Sequence, residues 1–252
     1  MFFTEQQISQ LAEAYAAVDG CYDELRQAYI DHPWTTDRGR EFGTNGFARR
    51  LQCIHRSIHN VFERLPPELE QAPDRDTRHE AELQIQAFVF HVFGAADNLA
   101  WIWVSEKNIT RNNGTPLPDG AIGIRKPQVL QSFSEGFRGH LETREEWFDY
   151  LENFRHALAH RIPLYIPPYV VTRANAARYN EIQGAMNEAI AAANLARHAE
   201  LQAQQTELTT WQPLMQHSFI EEAGRIVFHS QLIADFNTIH ELGTMMLDEL
   251  VE

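Results

Sequence analysis

A chain of 252 residues with 44% hydrophobic side chains can bury a sizeable core, which excludes a disordered tail. A net charge of −14 excludes a broad basic face for nucleic acid and leaves room only for a local patch. Two cysteines, Cys21 and Cys53, cannot make a disulfide framework or a Cys-rich zinc module, and lone thiols fit a reducing, cytoplasmic setting.

The opening MFFTEQQISQ lacks the basic start of a secretory signal, so none is expected. Thr4 is a candidate N-cap for a helix reaching residues 28–30, with Leu11, Tyr15, Val18, Tyr22 and Leu25 on one stripe. Pro33 ends it. The spacing of Phe47, Leu51, Ile54, Ile58 and Val61 predicts a second helix over 44–65, stopped by Pro66-Pro67. The charged run 74–82 leads into a long third helix ending near Lys107. Its apolar stretch, 86–104, holds His91, Asp97 and Asn98, which a membrane span tolerates poorly, so it reads as a buried helix and no membrane partner is expected. Residues 108–128 carry three Gly and three Pro and read as a loop.

A short helix is expected over 128–137, and a further one over 143–160 behind a Thr143-Arg144-Glu145-Glu146 capping box. Pro163, Pro167 and Pro168 force an extended exit. Residues 174–208 read as one long helix, 211–229 as a small β-hairpin around Glu222-Ala223-Gly224, and 230–250 as a last helix. The fold class is all-α, a single helical domain over 1–252 without a central sheet. No Gly-rich phosphate loop, G-x-S-x-G elbow or Cys–His nucleophile pattern occurs.

The sharpest motif is Arg155-His156-Ala157-Leu158-Ala159-His160. Leu151, Phe154 and Leu158 bury one side of this helix, and His156 and His160 share another. His160 lies in the last turn, where unpaired carbonyls favour a protonated ring. Two readings follow: an acid–base histidine, or a helix end capped by His160 and Arg161.

Arg155, polar His156 and His160 resemble the R-[polar]-x3-H signature of HEPN domains, with His where Asn commonly follows the Arg. The resemblance is best over residues 80–165 and implies a HEPN-like bundle core over about 80–208 with N- and C-terminal extensions. It implies homodimers and, in many members, metal-independent endoribonuclease activity or RNA binding in toxin–antitoxin, defence or CRISPR settings, with an antitoxin or other protein partner. Other members are non-catalytic interaction modules. Arg155 and His160 are then the catalytic pair, no cofactor or metal is needed, and His156, Asp97 and Asn98 support. Asp97 needs a cation or water, and Arg155 or His160 is the candidate partner; alternatively it lies at a solvent edge or pairs with another Arg.

Residues 38–64 hold six Arg against two Glu in a chain with 19 Arg and two Lys, so Arg49 and Arg50 are candidate RNA contacts or simply a solvated face. Arg161 joins them. Tyr165 either stacks a base or, with Tyr169 and the prolines, pins the exit segment to the bundle. His55 and His59 repeat the four-residue spacing, but no third ligand stands at a familiar metal spacing, so no metal site is expected.

Overall fold

Thr4 and Gln7 cap each other reciprocally: Gln7 N donates to Thr4 Oγ1 at 3.3 Å, and Thr4 N donates to Gln7 Oε1 at 2.9 Å. That box starts α1 (Glu5–Asp31) in the computed structural model, which describes residues 2–218 and 224–251. Thr36 then opens α2 (Asp37–Arg40), which continues without a break through a π-helical stretch (Glu41–Phe47) into α3 (Ala48–Arg64). The expected second helix therefore begins seven residues earlier than its apolar stripe announces. The five stripe residues, from Phe47 to Val61, are all fully buried.

Asp74 caps α4 (Arg75–Glu106), the longest helix among the described residues. Its far end is anchored by Glu106, whose carboxylate accepts from the backbone N–H and hydroxyl of both Thr35 and Thr36 at 2.6–3.0 Å. Burial pushes this carboxyl up, yet the four hydrogen bonds outweigh it and hold Glu106 below its ordinary value. The start of α2 is thereby tied to the end of α4.

A 3-10 turn (Asp119–Ala121) interrupts the loop after α4. Two short helices follow, α5 (Pro127–Leu130) and α6 (Glu135–Glu142), where one was expected. Ser134 separates them by capping α6. Thr143 does not start the next helix: its hydroxyl donates to His140 O at 2.7 Å and closes α6, so α7 (Glu145–His160) begins two residues later without a side-chain cap.

The run 174–208 is two helices. β1 (Val170–Val171) precedes α8 (Arg173–Ala191), and α9 (Leu195–Thr206) returns along it. Ala193 turns the chain at φ 53°, a left-handed backbone costing roughly 1–2 kcal/mol for a residue with a Cβ. No Gly or Pro signalled it. β2 (Thr209–Thr210) pairs antiparallel with β1, and β3 (Leu214–Met215) with β4 (Ile226–Val227). The β3–β4 pair is the expected hairpin, although Glu222 and Ala223 of its turn lie outside the described residues. Phe228 and His229 do not extend β4 but open α10 (Phe228–Val251).

Helices make up 71% of the described residues, which leaves no central sheet among them and confirms the all-α class. The main core is built by α1, α3, α4, α7 and α10, with α3 against α4 the most extensive pairing. It extends well outside residues 80–208. Leu51, Ile54, Ile85, Leu99, Phe236 and Leu242 are wholly enclosed there, and each contributes on the order of 1.5–3 kcal/mol. α8 and α9 stand apart with a small cluster of their own, Ile182, Met186, Ala189 and Leu201. α4 is long and apolar enough to cross a membrane by length and composition, but 61% of that stretch is buried by its neighbours, as a core helix requires.

Candidate functional site

α7 lies on α4 through Leu151, Phe154 and Ala157, which are buried. That docking turns Arg155 toward α4. Its guanidinium sits over the Phe93 ring, 5.2 Å from the centroid, and makes no hydrogen bond or ion pair among the described residues. A guanidinium held on an aromatic face with free N–H groups is able to receive an anion. His160 is exposed on the last turn of α7. His156 is also exposed, with Nε2 3.4 Å from Glu152 Oε1, and the two rings stand 6.1 Å apart. Arg161 folds back, its Nη2 donating to Asn153 Oδ1 at 3.1 Å.

Asp97 is half-buried on the adjacent face of α4. Burial holds its carboxyl above the ordinary range; Arg155, then Arg50 and Lys126, pull it back, and Glu152 pushes it further up. Arg155 is thus the foremost cation facing Asp97, as one reading of the sequence had it, but the two do not form a direct ion pair. His160 takes no part.

Asn98 has a different partner. Its side chain is buried and its Oδ1 accepts from Arg50 Nε at 2.8 Å. Two glycines make room for this pair. A Cβ on Gly94 would lie 2.3 Å from the Arg50 guanidinium carbon, and one on Gly46 would lie 2.9 Å from Asn98 Nδ2. The π-helical stretch brings Gly46 there. Arg50, Arg38, Arg49, Asn45 and His91 line a groove of about 540 Å³ with Asn98. Burial, then Arg50, lowers the pKa of His91 and keeps its ring neutral. Arg49 is exposed, while Arg38 lies over the Trp101 ring at 4.6 Å.

On the other side of Asp97 is a larger cavity of about 590 Å³, which the sequence did not announce. Glu142, Glu145, Asp149 and Glu152 surround it with Asp97, against Arg125 and Lys126. Arg125 bridges Asp149 at 2.6 Å and Glu152 at 3.0 Å. Tyr165 lies on the exit segment. Its backbone pairs with Gln216 at 2.9 and 3.1 Å, and its hydroxyl accepts from the Gln216 amide, so it pins the exit segment. This is the pinning arrangement that the sequence offered as one of two readings. Gln86 and Glu82 of α4 hold the same segment through Leu164 O and Ile166 N.

The second histidine pair acquires the third group that its sequence spacing did not offer. Asp19, from α1, places one carboxylate oxygen 2.7 Å from His55 Nε2 and 2.8 Å from His59 Nε2. The two ring nitrogens are 3.1 Å apart. Tyr15, one turn before Asp19, meets His59 Nδ1 at 2.6 Å, and Tyr22 stacks on His55 at 4.1 Å. Tyr15, Asp19 and Tyr22 share one helical face of α1. That periodicity was visible, but which helix it faces was not.

No protein-family model, curated protein or solved structure matches the chain.

Proposed function

We propose that this chain cleaves RNA without a metal, in the manner implied by its HEPN-like motif, through Arg155 and His160 in a cytoplasmic twofold homodimer. A defence or toxin–antitoxin setting with a cognate protein partner goes with that reading. The observation that carries it is openness: Arg155 keeps free N–H groups above Phe93, and His160 is exposed five residues on. A pair that merely locked helices together would be enclosed and mutually hydrogen-bonded.

The chemistry needs few parts. The ribose 2′-OH attacks the adjacent phosphorus, its proton passes to a base, and the 5′-oxygen leaves with a proton from an acid. Arg155 stabilises the charge of the phosphorane. Attack and departure lie on opposite sides of the phosphorus, so one His160 serves one side and the partner subunit's His160 the other. Arg49 and Arg50 offer backbone contacts across α4, while the carboxylates around the larger cavity repel RNA from the opposite side of Asp97.

The test is incubation of the full chain with total RNA in EDTA. Fragments ending in 2′,3′-cyclic phosphate are expected, and His160→Ala should slow their formation by about 10² to 10⁴. Arg155→Ala should do at least as much damage. Sedimentation should give a dimer. A wild type that cuts no RNA, with a melting temperature that drops in Arg155→Ala, makes the pair structural. Cleavage that requires a divalent ion removes the metal-free mechanism.

A further inference from the structure

We propose that Asp19, His55 and His59 bind a divalent first-row transition ion of the zinc class between α1 and α3, with Tyr15 orienting His59. This site is separate from the Arg155/His160 site.

Three donor atoms from two helices converge on one point: Asp19 Oδ1 with the two Nε2 atoms, at separations of 2.7, 2.8 and 3.1 Å. A tetrahedral zinc ion with bonds of about 2.0–2.1 Å keeps its ligand atoms roughly 3.3 Å apart. The cluster therefore needs to open by only a few tenths of an ångström, and Asp19, 63% exposed at its side chain, is free to move.

Protons serve this cluster badly. If both imidazoles donate from Nε2 to Asp19, two N–H groups face each other across 3.1 Å. If one ring turns its lone pair to the other, it loses its hydrogen bond to Asp19. A cation accepts both lone pairs and the carboxylate at once. The protons then move to Nδ1, and on His59 that position already faces the Tyr15 hydroxyl at 2.6 Å. A ligand histidine oriented through its other nitrogen is the usual arrangement around zinc. Tyr15 is itself fixed by stacking on Phe62, 4.4 Å centroid to centroid.

Imidazole ligands select zinc, copper, nickel or cobalt over magnesium and calcium, which prefer all-oxygen shells. Three protein ligands with an exposed carboxylate leave a coordination position open to solvent, as catalytic zinc sites do.

The experiment is zinc titration of chelator-stripped full chain against a chromogenic competitor, with helical content followed by circular dichroism. One equivalent should bind and raise the melting temperature. Asp19→Ala and His59→Ala should each weaken binding by at least about tenfold with helicity retained, and Tyr15→Phe, which keeps the ring stack, by about 10- to 100-fold. His156→Ala, in the exposed pair, should leave zinc affinity unchanged. No bound zinc in the wild type, or unchanged affinity in both Asp19→Ala and Tyr15→Phe, overturns the proposal. Should His59→Ala lose helicity, the exposed Asp19→Ala decides.

Discussion

The chain contains two pairs of histidines at the same four-residue spacing, and they end in opposite circumstances. His55 and His59 bring their Nε2 atoms within 3.1 Å of each other because α1 lays Asp19 and Tyr15 across them. His156 and His160 face solvent with rings 6.1 Å apart, and the nearest acid, Glu152, lies on the same helix and is held by Arg125. Helical spacing offers two side chains on one face. Whether they converge depends on a third group from another element. The first pair converges with a carboxylate on one point; the second stays exposed near the end of α7 without a group from another helix against it among the described residues.

The sharpest break would come from exchanging the readouts. His160→Ala should lower RNA cleavage by about 10² to 10⁴ and leave zinc stoichiometry at one. His59→Ala should remove zinc while cleavage in EDTA continues at the wild-type rate. If one substitution abolishes both, the two sites are not independent and the comparison fails.

A large effect is also expected where α7 is tied down. Asp235 of α10 is fully enclosed and accepts from Trp147 Nε1 at 2.8 Å, Gln231 Nε2 at 2.7 Å and Tyr150 Oη at 3.5 Å. Complete burial pushes its carboxyl up to about 7, against those hydrogen bonds. An acid held more tightly protonated in the fold contributes stability below about pH 4 and loses it as pH rises through about 7. The rise from the ordinary 3.8 corresponds to roughly 4 kcal/mol at most. Buried His229, whose pKa burial lowers to about 4 against the pull of the Leu65 carbonyl, slopes the other way: it stabilises above about pH 6.5 and loses that as pH falls through about 4. The two offset each other in the wild type. Asp235→Asn should therefore raise the melting temperature above pH 7 and leave a profile that climbs from about pH 4 to 6.5. An unchanged profile would show that Asp235 titrates normally.

Smaller effects test the surroundings of each pair. In Gly94→Ala the new methyl displaces the Arg50 guanidinium, a flexible group, and a better helix former offsets part of the loss. Stability should change by less than about 1 kcal/mol, while the salt dependence of RNA binding should weaken by about one phosphate contact. A stability loss several times larger would mean that Arg50 holds the bundle rather than RNA. Smallest of all is Arg125→Ala. It frees Glu152 beside His156, yet Glu152, His156 and His160 rise along one helix and do not converge. Zinc titration should still find one equivalent. A second would break the claim that a partner helix is required.

The sequence by itself determined the helices whose apolar residues repeat strongly and whose ends are marked. α1 follows from Thr4 and Pro33, α3 from the stripe between Phe47 and Val61, and α4 from its long apolar run behind the charged residues 74–82. The Arg155–His160 motif was legible for the same reason: its residues are neighbours along one helix. Local signals failed where a residue had two uses. Thr143 could cap forwards or close backwards, and only the packing of α6 chose the second. Ala193 turns left-handed because α9 must lie back on α8, a cost that no local preference would predict. Tyr165 became a pin once Gln216 arrived from 51 residues away. Asp19 stands 36 residues before His55 and 40 before His59, and nothing between them signals the meeting. Spacing fixes faces within a helix, but only the burial of α1 against α3 decides which faces meet. The histidine pair with the weaker sequence context therefore became the one with the more complete set of ligands.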